Sequence, residues 1–449
     1  MYIKNFIASL RKAYIDDTDG CAKSRRNVVA AGSFESIALG LFTGTFYTAL
    51  VQTAFANEPS EIRNEYLGWI ISLSFLARVL QGFTPFFAKW IRDWKRFYRV
   101  TRATAYFLQS VLIILTVFLP IPSNAKAAAV FLIVFISETL FFLSNPLLCK
   151  WYIGNVPLAI YPDWFSGQQL TITLSTTLAV IAASVIFDGL AGSGKAMIGI
   201  IVLRLAAMIV GILELNANSR IRMPVHMQSD RQPNFIETIS SLKKSKRYRN
   251  ILAISCLWSF VLAFPGQYYT SYLVNNLHQS YTLVNIATIV SIPAFLFMMP
   301  FWLLVVQRWG WYVPFGWIAL LYAAVNLTYT FVSGETVYLY LVGMVISQLL
   351  LPGANMISGS LPFQEVPSGM EVAYLGIFNV LCNSSRFLGS YLGKAFMAAT
   401  EGSLINLFGL EFVNGQYICA VCAMLDILFM VLIFSVQRTR QRSVAAMRM

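Results

Sequence analysis

Twelve stretches of roughly 20 apolar residues recur along the 449-residue chain, and no other feature constrains its folding as tightly. They run near 30–53, 66–88, 103–120, 125–149, 168–190, 195–216, 250–273, 281–306, 311–332, 337–358, 372–398 and 416–436. Each is long enough to cross the hydrocarbon layer of a bilayer. No water is available there, so every backbone N–H and C=O must be paired within the chain, and a long apolar run achieves this only as a helix. The period-2 alternation of a transmembrane β-barrel is absent. Composition agrees, with 57% of residues hydrophobic, 12% charged and a mean hydropathy of +0.64. The expected fold class is an all-α polytopic membrane protein of twelve transmembrane helices, with lipid as its main solvent.

A formal charge of +13 raises the question of a nucleic-acid or acidic partner, and the distribution of that charge answers it. With the N-terminus in the cytoplasm, alternate loops and tails place 26 Lys and Arg residues inside, against Arg63, Lys126 and Lys195 outside. That asymmetry is the positive-inside pattern, so the basicity marks topology: both termini cytoplasmic, in the inner (plasma) membrane, with no nucleic-acid partner. The other four basic residues, Arg78, Arg204, Arg386 and Lys394, fall within spans. Segment 1–29 has no signal-peptide core, and its Ile3, Phe6, Ile7, Leu10 and Tyr14 share one helical face. Such a face suits a helix lying on the membrane surface; a solvated tail is the alternative.

Cofactor chemistry finds little footing. Cys419 and Cys422 form a lone CxxC inside an apolar helix, and the two histidines, His226 and His278, lie in loops. No metal, haem or other cofactor is therefore expected. No HExxH, GxSxG, P-loop or GxGxxG in a βαβ setting occurs, which argues against an enzyme and against ATP-driven pumping.

The basic segment 217–249 divides the spans six and six, giving bundles at 30–216 and 250–436 and a basic tail at 437–449. Within it Phe235, Ile236, Ile239 and Leu242 have amphipathic spacing, as in a linker resting on the anionic leaflet. Corresponding loops of the two halves carry Pro-x4-Pro, at Pro157/Pro162 and at Pro362/Pro367, 205 positions apart. Each precedes a polar helix. Thr173, Thr177, Ser184 and Asp188 recur at helical spacing in the fifth span, and Asn379, Asn383, Ser390 and Lys394 match them at an offset of 206 in the eleventh, where Arg386 joins the same face. A polar stripe facing lipid is unfavourable by several kcal/mol, so both stripes are expected to face protein or a watery cavity.

Twelve spans in two six-span halves, a long basic central loop and polar fifth and eleventh helices resemble the major facilitator superfamily over residues 30–436. The loop after the second span, Ala88-Lys-Trp-Ile-Arg-Asp93 followed by basic residues, keeps the acidic and basic parts of that family's loop without its glycines. The resemblance implies two pseudo-symmetric six-helix bundles and a secondary active transporter. The expected partners are a small organic solute and protons, with the chain working as a monomer in the bilayer. Two alternatives stay open: an exporter of amphipathic compounds, and a transporter-like sensor or lipid-handling protein without turnover.

Charged side chains in mid-membrane are rare because inserting one costs at least ~2.5 kcal/mol, so each is a functional candidate. For substrate binding the candidates are Arg386, Asn379, Asn383, Thr173, Thr177 and Arg78. The planar donor fork of Arg386 suits an oxyanion, which favours an anionic or zwitterionic solute. For coupling and gating they are Glu35 and Glu138, either taking up a proton or pairing with Arg78, and Asp188 with Lys394, placed to close an outer gate. A permanent ion pair or interfacial pair is the structural alternative for each. Arg204 and Asp426, in spans that the family layout puts outside the cavity, are expected to be structural. Gly40/Gly44 and Gly389/Gly393 have the GxxxG spacing of close helix packing, and Trp258, Tyr268 and Tyr269 are candidates for an aromatic cavity wall.

Overall fold

The computed structural model describes residues 20–84, 91–145, 148, 151–152, 155–156, 161–222, 246–266, 268–362, 371–407 and 410–446. The surface helix expected near residues 3–14, the linker helix near 235–242, Ala88 to Trp90 of the basic loop, and Pro157 and Pro367 lie outside the described residues.

In chain order the α-helices are α1 (Ala22–Phe42), α2 (Thr45–Ala54), α3 (Ser60–Val79), α4 (Trp94–Phe107), α5 (Ile113–Phe118), α6 (Ser123–Leu143), α7 (Tyr161–Gly192) and α8 (Ala196–Ser219). They continue with α9 (Lys246–Ala263), α10 (Tyr268–Ser271), α11 (Tyr281–Ile286), α12 (Ser291–Trp309), α13 (Tyr312–Thr330), α14 (Tyr338–Ser360), α15 (Glu371–Ala399) and α16 (Asn414–Ala446). A hairpin of β1 (Ile405–Leu407) and β2 (Leu410–Phe412), antiparallel with Ile405 opposite Phe412, is the exception among the described residues. Among the described residues, eleven helical stretches are long and apolar enough to cross a membrane. The twelfth expected crossing is α15, 29 residues long, and its polar stripe lowers its hydropathy.

The chain packs as two compact units, one of Met1–Phe55 and Leu80–Gln232, the other of Ala56–Val79 and Pro233–Met449. The sequence boundaries assign the second span to the first bundle; by packing, α3 is held with the second unit, against α15.

In the first unit, α1 is flanked by α7 and α8. Gly40 makes the close approach expected of it, since a Cβ there would lie 3.0 Å from Val180 Cγ2. Gly44 does something different. It has open space around it and a φ of +60°, which interrupts the first span between α1 and α2. Its ψ of −131° completes a conformation that L side chains avoid, so glycine is needed there for backbone geometry rather than for packing. The third span is also irregular, with a π-helical segment, Leu108–Leu112, joining α4 to α5. Just beyond α8 the backbone is held by Lys95 Nζ donating to Ile221 O at 2.9 Å, and by Trp151 Nε1 and Asn155 Nδ2 donating to Arg222 O at 3.0 Å each. That fixes the backbone where the central linker leaves.

In the second unit the core gathers Ile251, Trp258, Trp302, Phe315, Leu350 and Phe429. Trp258 packs 5.1 Å from both the Phe315 and Phe429 rings and is 4% exposed, so it belongs to this core and not to a cavity wall. The large apolar side chains left exposed lie on outward helical faces, such as Leu174, Leu178 and Val185 on α7, Ile209 and Ile212 on α8, and Leu428 and Val431 on α16. Lipid is the solvent that leaves such faces unpenalised.

Gly389 and Gly393 bring α15 against the backbone of α9: an added Cβ would stand 2.5 Å from Phe260 O at the first and closer still to Phe264 O at the second. A backbone carbonyl cannot swing aside as a side chain can. Gly393→Ala is therefore expected to destabilise the fold by about 1–3 kcal/mol. A thermal melt in detergent should show a lowered Tm for it and an unchanged Tm for Gly189→Ala, where the space is open.

Candidate functional site

The middle of each polar stripe is buried. On α7, Thr177 is 8% exposed and Ser184 fully buried, while Leu174 and Leu178 are exposed on the opposite face. On α15, Asn383 is 7% exposed and Ser390 1%, with Leu381, Leu388 and Leu392 outside. Thr173, Asp188, Arg386 and Lys394 are half-buried, and Asn379 is exposed. The helical period has set each polar residue's face, and lipid has selected which face points in. Asn383 donates from Nδ2 to Asn379 O at 2.8 Å, while its Oδ1 is buried without a hydrogen-bond partner among the described residues.

In the second unit α3 lies along α15, and several of the contacts between them are polar. Ser390 Oγ donates to Ser72 Oγ at 3.0 Å. Toward the start of α3, Lys394 Nζ pairs with Glu65 Oε1 at 3.4 Å and stands 3.8 Å from the centre of the Trp69 ring. The sequence offered Asp188 as the partner of Lys394; its carboxylate in this unit is Glu65. Asn64 Oδ1 accepts from Ser271 Oγ at 2.8 Å, and Gly68 leaves room for the Tyr268 hydroxyl to sit against the α3 backbone. Beyond the end of α15, partial burial together with Glu61 and Glu65 raises the Glu401 carboxyl above its ordinary value. Further along the same pair of helices, Arg78 and Arg386 lie within electrostatic reach of each other, with Cys382 beside Arg386.

In the first unit the charges form two groups. The first starts at Arg204 on α8, which is 1% exposed. Its Nη1 donates to the backbone O of Gln109 at 2.9 Å and to Gln109 Oε1 at 3.0 Å; Gln109 Nε2 donates to Tyr47 Oη at 3.3 Å, and Tyr47 donates to Glu138 Oε1 at 3.5 Å. Gln109 sits in the π-helical segment, whose wide turn frees a carbonyl for Arg204. The second group centres on Arg102. Its Nη1 donates to Glu35 Oε1 at 3.0 Å and its Nε to Ser144 Oγ at 3.2 Å; its Nη2 donates to Asn145 Oδ1, and the guanidinium carbon stands 3.5 Å from the Phe141 ring centre. On α8, Glu214 accepts hydrogen bonds from Tyr98 Oη, Tyr106 Oη and Asn218 Nδ2.

Arg102 and Glu214 are residues that sequence reasoning missed. The apolar run of the third span begins at 103, so Arg102 was counted with the cytoplasmic loop, whereas α4 begins at Trp94 and buries it completely. Glu214 lies two residues inside the predicted end of the sixth span. One signal was available: Tyr98, Arg102, Tyr106 and Gln109 fall on a single helical face.

Removing one partner of a buried ion pair leaves a bare charge, a loss of about 3–5 kcal/mol. Arg102→Gln is accordingly expected to be strongly destabilised. Adding Glu35→Gln should restore part of the loss in a double-mutant cycle followed by chemical unfolding in mixed micelles.

No family model matches the sequence, and no curated protein matches it. Solved structures do match. A D-xylose–proton symporter aligns with 91% of this chain and 96% of its own at a TM-score of 0.69 and 15% identity. The nucleoside transporter NupG aligns over 92% and 98%, with a TM-score of 0.65 and 14% identity. A bacterial homologue of the iron transporter ferroportin, in an outward-facing state, aligns over 92% and 98%, with a TM-score of 0.58 and 14% identity. Near-complete coverage of both chains at such low identity is a likeness of architecture, and the chain is an all-α polytopic membrane protein that shares the fold of these transporters.

Proposed function

We propose that the chain is a secondary active transporter that moves a small anionic or zwitterionic organic solute by alternating access, coupled to protons. It acts as a monomer in the inner (plasma) membrane with both termini in the cytoplasm, an orientation supported by the bias of 26 basic residues to 3. The neighbours in fold are a nucleoside transporter, a D-xylose–proton symporter and a homologue of an iron transporter, so the architecture supports transport and leaves the cargo to the side chains.

The observation that carries the reading is the half-buried Arg386 guanidinium on α15, one helical turn from the Oδ1 of Asn383, which is buried without a hydrogen-bond partner among the described residues, with Arg78 on the packed α3 within electrostatic reach. Paired guanidinium forks receive a carboxylate or phosphate, and an amide oxygen receives an ammonium, amide or hydroxyl proton. A solute with an anionic head and a donor group nearby answers both. In this reading Thr173 and Thr177 are binding candidates of the first unit and Asn379 of the second. Glu35 and Glu138 are the carboxylates offered for coupling. Lys394 and Asp188 are gating residues, with Glu65, Asn64 and Ser72 supplying polar contacts on α3 that break and re-form singly at little cost.

The test is uptake by reconstituted liposomes of labelled carboxylates, amino acids and organophosphates under an imposed pH gradient. Arg386→Ala should weaken uptake by about 2 kcal/mol or more in apparent affinity, roughly thirtyfold, with Arg386→Lys between it and the parent. Anion uptake unchanged in Arg386→Ala would remove the anion assignment, and uptake indifferent to the pH gradient would remove proton coupling.

A further inference from the structure

The Glu138 chain is balanced, with one carboxylate at one end and the Arg204 guanidinium at the other. The cluster around Glu214 is not. Glu214 is fully buried, and Tyr98 binds it through its hydroxyl while its ring stands 5.2 Å from the Arg102 guanidinium carbon. Asn218 donates to both Glu214 and Tyr98, the latter at 2.9 Å, and its Oδ1 accepts from Tyr152 Oη at 2.6 Å. Tyr106 Oη supplies a further bond at 3.4 Å. The titratable and charged groups facing Glu214 are Tyr98, Arg102 and Tyr106 from α4, Glu35 from α1, and Tyr152 from the segment after α6.

Two carboxyls thus share one guanidinium. The tyrosines and Asn218 stabilise the ionised Glu214 by hydrogen bonds but carry no charge to offset it. In a low-dielectric interior an excess charge of one unit is costly, and one proton removes it. The Arg102 side chain is fully enclosed, whereas that of Glu35 is 16% exposed, so Glu35 is the member of the group in touch with solvent. The cluster joins α1, α4, the end of α6 and α8 through these bonds. Changing its protonation therefore changes what holds four elements together.

We infer that Glu35, Arg102 and Glu214 form a proton-binding group, with Glu214 as the proton carrier, Glu35 as its access to solvent and Tyr98 as the link between Glu214 and Arg102. The carboxylate of Glu214 takes a proton from water to form a carboxylic acid, breaking no other covalent bond of the protein, and returns it to water on release. That this proton is the one coupled to solute movement rests on the transport reading above; the binding of the proton does not.

The experiment is infrared difference spectroscopy on the full chain in lipid nanodiscs, titrated with pH. The parent is expected to show a single titrating carbonyl-stretch band of a buried protonated carboxyl. That band should vanish in Glu214→Gln and persist in Glu335→Gln, an exposed control. Tyr106→Phe, which removes one donor from the ionised form, should move its midpoint to higher pH. No titrating band in the parent, or a band that survives Glu214→Gln, overturns the site. In proteoliposomes, pH-driven anion uptake that survives Glu214→Gln overturns its role in coupling. A band that behaves as expected in a protein that moves no solute upholds the proton site and rejects the transport reading.

Discussion

A bilayer interior offers no water to an unpaired polar group, and this one constraint organises the whole chain. It makes the spans helical, turns Leu174, Leu178, Leu428 and Val431 outward, and favours bonds inside the protein for charges within the spans. Arg102 and Arg204 show how completely this is done. Each guanidinium is buried and lies near aromatic faces, at 3.5 Å from the Phe141 ring for Arg102 and 5.4 Å from Phe42 for Arg204; Arg102 spreads its donors over side-chain oxygens, Arg204 over side-chain and backbone oxygens.

The two units use charge differently. In the first, carboxylates and arginines are knitted into hydrogen-bonded groups that bridge several helices, and the carboxylates outnumber the guanidiniums in one of them. In the second, α3 and α15 bring two arginines within reach of each other and seal toward the start of α3 with single polar contacts.

Irregular backbone appears where these groups need it. The π-helical turn at Leu108–Leu112 presents the Gln109 carbonyl and side chain to the same nitrogen of Arg204. Gly44 breaks the first span, and Tyr47, three residues on, points its hydroxyl at Glu138. A continuous α-helix has its carbonyls committed to the next turn, so only a departure from it frees one for a side chain.

Hydropathy and period alone determined the number of long helices, the lipid environment and the inward faces of α7 and α15, because these depend on local composition and on 3.6 residues per turn. Thr177 and Asn383 were legible for that reason. The partners of the charges were not. Arg102 stood one residue outside an apolar run, and Glu35, some sixty residues away, carries nothing in its neighbourhood that names it. Gly40 and Gly44 share a spacing but not a role, since one depends on the chain across from it and the other on its own φ. Which charge meets which is decided by how helices cross, and crossing is a property of side chains from distant segments meeting in space. Only the tertiary structure could therefore separate a balanced pair from a shared one.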